Sequence, residues 1–360
     1  MKDFPARPPP RSEPARNRKR RPPMSSLTPL LQSAEAARAE LIARLQAEDT
    51  NCYRLFHGSV EGMPGLTVDR YGEQLLAQTF HQPLSDDELA AIRAHYQASH
   101  PGLPLVYNDR SAGNSRIGNA LTLEQQAEAE ADHTIRELSV NYHYRARHKG
   151  QDPWLFLDLR AARRRVMELA AGKSVLNLFA YTCGVGVAAA KAGASFVMNV
   201  DFAESSLSVG RANAKLNLLT TRPRCVQSDV FAAIRQLSGI GQPERVRGKK
   251  MPPFPKLEAR QFDLVFLDPP RYSKSPFGVV DLINDYQALF KPALLATAPG
   301  GTLICCNNVA QVDGDAWLDS LKRSAAKAGR EVRAAEWIVP DADFPSPDGK
   351  HPLKIVALSV

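Results

Sequence analysis

The sequence predicts an α/β fold, a doubly wound and mainly parallel sheet preceded by a smaller α/β domain. Three stretches predict it. Val175, Leu176, Leu178 and Phe179 form a short apolar run, the pattern of a strand buried on both faces. Thr182, Cys183, Gly184 and Gly186 follow as a small-residue turn, and Val187 to Lys191 reads as a helix. Such a unit brings backbone N–H groups and a positive helix end to a ligand. A side chain at Gly184 or Gly186 would block that approach, and either glycine is a candidate for φ > 0. The second stretch, Ser195 to Val200, is another buried strand; Asp201 closes it, placed to accept hydrogen bonds from ribose hydroxyls. The third, Phe262 to Leu267, runs into Asp268-Pro269-Pro270-Arg271-Tyr272. The sheet is therefore Rossmann-like, and the crevice beyond its carboxyl ends is a nucleoside-cofactor site.

Two kinds of cofactor compete for that crevice. Gly184, Gly186 and Ala189 fit the dinucleotide fingerprint G-x-G-x-x-A, which keeps a dehydrogenase open, as it does plain helix–strand packing. The Asp268-Pro-Pro segment weighs against the dehydrogenase. Its prolines hold the chain rigid and donate no N–H. The Asp268 carboxylate and nearby carbonyls are left as acceptors, with Tyr272 as a stacking surface. Such a site suits a nucleobase better than a hydride donor.

Six pieces in order carry a family resemblance: Phe156-Leu-Asp-Leu-Arg160, Leu176-Asn-Leu-Phe-Ala-Tyr-Thr182, Asn199-Val-Asp201, Ser228-Asp229-Val-Phe231, Asp268-Pro-Pro-Arg-Tyr272 and Gly300-Gly-Thr-Leu-Ile304. Through them residues 156–308 resemble class I S-adenosylmethionine-dependent methyltransferases, specifically the group that modifies large-subunit (23S) ribosomal RNA. Cys52 to Gly58 and Gly62 to Gly72 resemble that group's central RNA-contacting domain. The resemblance implies a class I methyltransferase sheet, S-adenosyl-L-methionine as cofactor and ribosomal RNA as partner. It places Phe156, Asp158 and Arg160 at the pocket rim and Asn177, Phe179, Tyr181, Thr182 and Gly184 around the turn. Asp201 then meets the ribose. Asp229 accepts from the adenine amine, with Val230 and Phe231 beside the ring. Asp268 serves cofactor and acceptor alike, and the catalytic set is Asp268, Pro269, Pro270, Tyr272 and Asn308.

The chain divides into 1–24, 25–145 and 146–360. Residues 1–23 carry eight basic residues against two acids, a net +6 of the chain's +8. Proline-rich and without apolar residues to bury, this tail is expected to be disordered and able to meet RNA phosphates without sequence preference. Thr28 to Ala47 has helical periodicity. Strands are expected at 52–57, 65–70 and 74–80, with Gly58, Gly62, Gly65 and Gly72 at turns. Asp86 to Ala98 reads as a helix, Pro104 to Asn108 as a strand, Glu124 to Asp132 as a solvated acidic surface and Arg136 to Tyr144 as one more strand. Arg54, His57, Arg70, Arg110 and Arg116 are candidates for an RNA face, against the plainer reading of scattered surface charge. The cluster Arg160, Arg163, Arg164 and Arg165 is read as either a solvated helix face or a phosphate contact.

Past the crevice motifs, Pro243 to Arg260 reads as a basic, proline-rich surface insertion, an RNA contact or a linker. Asp281 to Ala298 is expected as a helix, Thr302 to Cys306 as the fifth strand and Ala316 to Ala328 as a helix. Ala335 to Val339 and Lys354 to Ser359 are the closing strands. Two strands after the last long helix fit the methyltransferase sheet, whose final strand runs antiparallel. No apolar run approaches the roughly 18 residues of a membrane span. Five cysteines without a C-x-x-C pair argue against a disulfide framework and a zinc site, and for a reducing cytoplasm.

Cytosine carbon-5 is a poor nucleophile, so enzymes that methylate it first add a cysteine to the ring. Cys305 and Cys306 invite that chemistry. The resembling cytosine enzymes carry their cysteine two or three positions further on, where this chain has Asn307 and Asn308. That order resembles the branch that methylates guanine N7, which needs no covalent intermediate, and Cys305 and Cys306 are then strand packing. A dehydrogenase and a catalytically silent RNA-binding assembly factor stand as the other readings.

Overall fold

Residues 27–111, 121–148, 152–241, 245–246, 249–251, 253–275 and 278–360 are described by a computed structural model. The basic tail, Arg116 and parts of the 243–260 insertion lie outside them. The first described element is α1 (Leu27–Ala47), which buries Leu31, Leu41 and Leu45 at helical spacing. They pack on a mixed sheet of β1 (Cys52–His57), β2 (Leu66–Tyr71), β3 (Gln74–Thr79) and β4 (Leu105–Asp109), ordered β1-β2-β3-β4. Between β3 and β4 lies α2 (Asp86–Ser99), started by a capping box of Ser85 and Glu88.

Two expectations fail in the next stretch. The acidic run is not merely surface: Thr122 and Gln125 form a capping box that starts α3 (Leu123–Glu130) and buries Ala129. Arg136 to Tyr144 is not one strand but the greater part of a hairpin, β5 (His133–Glu137) and β6 (Val140–Tyr144). Leu138 and Ser139 turn it with φ of 53° and 61°, a left-handed pair without the glycine or asparagine that usually signals such a turn.

The large sheet is built as the sequence predicts, from α4 (Arg160–Ala170), β7 (Ser174–Leu178), α5 (Gly184–Lys191), β8 (Phe196–Asp201), α6 (Glu204–Lys215), β9 (Arg224–Gln227), α7 (Val230–Leu237) and β10 (Phe262–Leu267). After β10 come α8 (Gln287–Leu295), β11 (Thr297–Asn307), α9 (Gly314–Lys327), β12 (Ala334–Trp337) and β13 (Lys354–Ser359). Strand order is β12-β13-β11-β10-β7-β8-β9. β13 runs antiparallel to both neighbours, while β11, β10, β7, β8 and β9 are parallel. The chain leaves β7 toward β9 on one side and returns to β10 on the other, so a ligand crevice opens above β7 and β10.

The helix expected from Asp281 starts only at Gln287, because the Asp281 carboxylate accepts from Ile283 N and Asn284 N (3.0 and 2.9 Å) and ties the chain into a turn. β11 is longer than expected and carries Gly300 and Gly301 inside a register jump opposite Phe262 to Leu264. Apolar clusters fill both faces of the sheet, α7, α8 and α9 on one side and α4 and α5 on the other. A third cluster joins β2 and the β5–β6 hairpin to the large sheet: Tyr71, Ile135, Tyr142 and Tyr144 pack with Leu155, Leu157, Ala180, Val187 and Phe344. Among the described residues no helix is long and apolar enough to cross a membrane.

Candidate active site

The turn after β7 is strained, though not at its glycines. Neither Gly184 nor Gly186 has positive φ; instead Phe179, Tyr181 and Cys183 sit at 57°, 48° and 61°. Left-handed non-glycine residues cost on the order of 1–3 kcal/mol each and persist where surroundings over-determine them. Here they do. Ala180 N donates to Val200 O (3.0 Å), Tyr181 N to Asp201 Oδ2 (2.8 Å) and Cys183 N to Ala180 O (2.7 Å). The Thr182 hydroxyl donates to Trp154 O. Gly186 is needed for closeness: a Cβ there would lie 2.0 Å from Asn199 Oδ1.

Asp201 takes both the Tyr181 and Ala203 amides (2.8 Å each), which fixes its carboxylate and leaves each oxygen a further lone pair for a ribose hydroxyl. Burial raises its pKa above the ordinary carboxylate value. Asp229 caps α7 by accepting from Ala232 N (3.0 Å), beside the buried Val230. Phe202, 58% exposed directly after Asp201, stands outside the expected set. An aromatic following a strand-end acid is the signal that points to it. At the rim the Phe156 ring lies 5.6 Å from that of Tyr181, and Phe156 is partly exposed.

Three expected residues are not presented to a ligand in the expected way. Arg160 is fully buried, and its guanidinium donates to Asp341, to both oxygens of Asp343 (3.1 and 3.0 Å) and to Cys52 O (3.0 Å). It ties the start of β1 to the segment 341–343 that precedes β13. Asn177 is buried under the turn with its amide on Asn199 (2.9 Å), and Thr182 is spent on Trp154. Nor is the arginine cluster a solvated face or a phosphate site. Arg163 grips Glu137, Arg164 pairs with Glu48 and Asp341, and Arg165 with Glu168 and Glu336. Arg54, Arg70 and Arg110 are likewise engaged, on Asp69, on Gly72 O and Tyr53, and on Asp152. Burial and then Arg54 push His57 down to about 3, which removes it as a cation.

The residues expected on the acceptor side lie where β10 ends against β11, with Leu267 in register with Cys305. Asp268 is half-buried there, and desolvation followed by Asp158 raises its carboxyl to about 7. Pro269 is buried and Tyr272 63% exposed. Asn307 is spent inside, donating to Leu282 O (3.0 Å) and accepting from Val309 N. Asn308 differs: its Oδ1 is buried with no hydrogen-bond partner among the described residues. Cys305 and Cys306 are wholly buried and burial drives both thiols up, Cys306 also by facing Asp268. Beside this strand end a cavity of about 500 Å³ is lined by Phe231, Arg271, Val280, Leu282, Asp285, Val309 and Gln311.

A doubly wound sheet with a strained turn above its central strand, an acid closing the next and Asp-Pro-Pro closing the fourth defines a nucleoside-cofactor transferase of the class I methyltransferase type. The sequence pattern of the S-adenosylmethionine-dependent methyltransferase family matches residues 53–358, and the chain belongs to that family. Its cofactor is therefore S-adenosylmethionine, and the dehydrogenase reading falls. The chain is 29% identical to "Ribosomal RNA large subunit methyltransferase I" of Tolumonas auensis over 88% of this chain and 75% of that one. It is 30% identical to "Ribosomal RNA large subunit methyltransferase" of Deinococcus radiodurans over 84% and 71%. A solved structure from Streptococcus mutans, described as a SAM-dependent methyltransferase, shares the fold with TM-score 0.75 at 23% identity, over 95% of this chain and 83% of that one.

Proposed function

We propose that this chain transfers the methyl group of S-adenosylmethionine to guanine N7 in large-subunit ribosomal RNA. The curated relatives' names support the RNA. For the base, the carrying observation is the strand end, where Cys305 and Cys306 are sealed while Asn308 is partly exposed and its carbonyl oxygen has no partner among the described residues. An unpartnered buried acceptor costs about 1–3 kcal/mol, which a base N–H or amino group would relieve. Cytosine carbon-5 chemistry needs a thiolate that reaches the ring, and burial holds Cys305 and Cys306 as thiols out of reach.

Residues of the crevice divide the work. Asp201 fixes the ribose, Asp229 accepts from the adenine amine, and Phe156 and Tyr181 pack on the cofactor. Bound S-adenosylmethionine supplies an electrophilic methyl on a sulfonium. Methylation of N7 leaves a cationic purine and releases no proton, so no general base is required. Ionised Asp268 stabilises that positive charge, the rigid prolines fix its position, and Asn308 orients the base while Tyr272 stacks. Orientation alone supplies several kcal/mol in such displacements.

The test is methylation of unmodified large-subunit RNA with labelled cofactor, then nucleoside mass spectrometry of the digest. 7-Methylguanosine is expected. 5-Methylcytidine would overturn the base assignment, and no incorporation into RNA the protein binds would favour the silent assembly factor.

A further inference from the structure

The β5–β6 hairpin belongs by sequence to the small domain, yet its hydrogen bonds lead, directly or through one residue, to the expected cofactor segments. Glu137, at the end of β5, holds Arg163 through Nε and Nη2 (2.5 and 2.8 Å), and the same Nη2 donates to Phe156 O (2.8 Å). The Tyr142 hydroxyl on β6 donates to Gly184 O (3.1 Å). His143 N donates to Asn213 Oδ1 (2.7 Å), and the Asn213 amide in turn donates to Thr182 O (3.0 Å). One hairpin thus reaches the carbonyls of Phe156, Gly184 and, through Asn213, Thr182. Glu137, Tyr142, Arg163 and Asn213 are each at most 2% exposed, so these bonds are shielded from competing water.

We propose that the hairpin is a positioning element of the cofactor site, and that Glu137 acts on S-adenosylmethionine through Arg163 and Phe156. The inference rests on the placement of the cofactor against Phe156 proposed above. Glu137 touches no ligand; it fixes the guanidinium whose second N–H pins the Phe156 carbonyl. Neutralising Glu137 leaves Arg163 buried without its counter-charge. The guanidinium shifts toward solvent, and the Phe156 turn loses its anchor. Arg163→Lys breaks the same link differently: one ammonium keeps the charge pair but lacks the planar fork that serves Glu137 and Phe156 together.

Calorimetry of the full chain with S-adenosylhomocysteine tests this by a double-variant cycle, with thermal melts alongside. Phe156→Ala is expected to weaken binding about tenfold, and Glu137→Gln and Arg163→Lys about five- to tenfold each. In the Phe156→Ala background, Glu137→Gln is expected to add less than twofold. The KM for S-adenosylmethionine should rise in Glu137→Gln while kcat at saturation holds. Asp343→Asn, which removes the negative charge facing the neighbouring Arg160 and one of its two acceptor oxygens, lowers thermal stability without changing affinity. Additive losses in the double variant, or an equal affinity loss in Asp343→Asn, would assign the hairpin a purely structural role. If Glu137→Gln does not fold, Arg163→Lys carries the same cycle. Unchanged affinity in Phe156→Ala would remove the cofactor from that rim and this proposal with it.

Discussion

The two halves of the crevice are built on opposite terms. Above β7 and β8, the Tyr181 and Ala203 amides close on Asp201, the Ala180 amide on Val200 and the Thr182 hydroxyl on Trp154. Above β10 and β11, Asn308 keeps an oxygen without a partner among the described residues, burial raises the Asp268 carboxyl to about 7 and Tyr272 is exposed. A site that always binds the same cofactor gains from a fixed, satisfied backbone. The proposed acceptor half, which would receive a base from a macromolecule, keeps at Asn308 an acceptor whose partner would arrive with the substrate.

The largest expected effect breaks the unsatisfied half. Asn308→Ala and Asp268→Ala should each lower single-turnover methylation by about a hundredfold or more, because a displacement of about 1 Å at the reacting atoms costs that much. Cofactor affinity should be unchanged in Asn308→Ala. Rapid-quench methylation with cofactor titrations checks both, and near-normal turnover in Asn308→Ala would empty the acceptor assignment. The satisfied half responds in affinity instead. Asp201→Ala should weaken cofactor binding by roughly 1–3 kcal/mol, since it leaves the Tyr181 and Ala203 amides and the ribose unpaired together. An unaltered dissociation constant in a folded variant would remove Asp201 from the site.

The contrast also explains what the sequence could tell. Apolar runs, the strand-end acids Asp201 and Asp268, and paired glycines made the parallel sheet and its crevice legible, because buried strands and turns are dictated locally. Arg160 was not legible. Its partners Asp341 and Asp343 lie some 180 residues away, so spacing alone cannot tell a buried clamp from a ligand-binding arginine. The glycines of the turn misled for a related reason. Gly186 is required by Asn199 across the sheet, while the left-handed strain sits on Phe179, Tyr181 and Cys183, held by long-range bonds. The β5–β6 turn was hidden too, since Leu138 and Ser139 carry no turn signature.

A smaller effect sharpens the acceptor half by pH. Burial, and then Asp158, raise the Asp268 carboxyl to about 7, against about 4 in an unfolded chain. The folded state therefore favours its protonated form. The stability this contributes is complete below about pH 4 and is lost as pH rises to about 7. In the proposed transfer to N7 catalysis runs the other way, because the ionised form would stabilise the cationic product. The kcat/KM should rise about tenfold between pH 6 and pH 8. Asp268→Asn should flatten that profile and, relative to the wild type, melt higher at pH 8 than at pH 4. A profile unchanged in Asp268→Asn would assign the titration to another group.

The smallest expected effect separates the two chemistries. Cys305 and Cys306 lie on β11 with no exposed surface, Cys305 beside the Tyr286 hydroxyl and Cys306 facing Asp268. A nucleophile needs its thiolate and a path to the ring, and burial denies both. Cys305→Ser and Cys306→Ser should therefore lose stability, because a hydroxyl replaces a sulfur in packed surroundings. Each should keep activity within about threefold where it remains folded, as expected of a packing change. Single-turnover methylation at a temperature well below each melt reads this directly. Abolished turnover in a folded variant would require a thiol in the reaction. So would a covalent adduct trapped on RNA carrying 5-fluorocytosine. Either result would move the acceptor from guanine N7 to cytosine carbon-5 and would mean that β11 opens on binding RNA to expose a cysteine now sealed in the sheet.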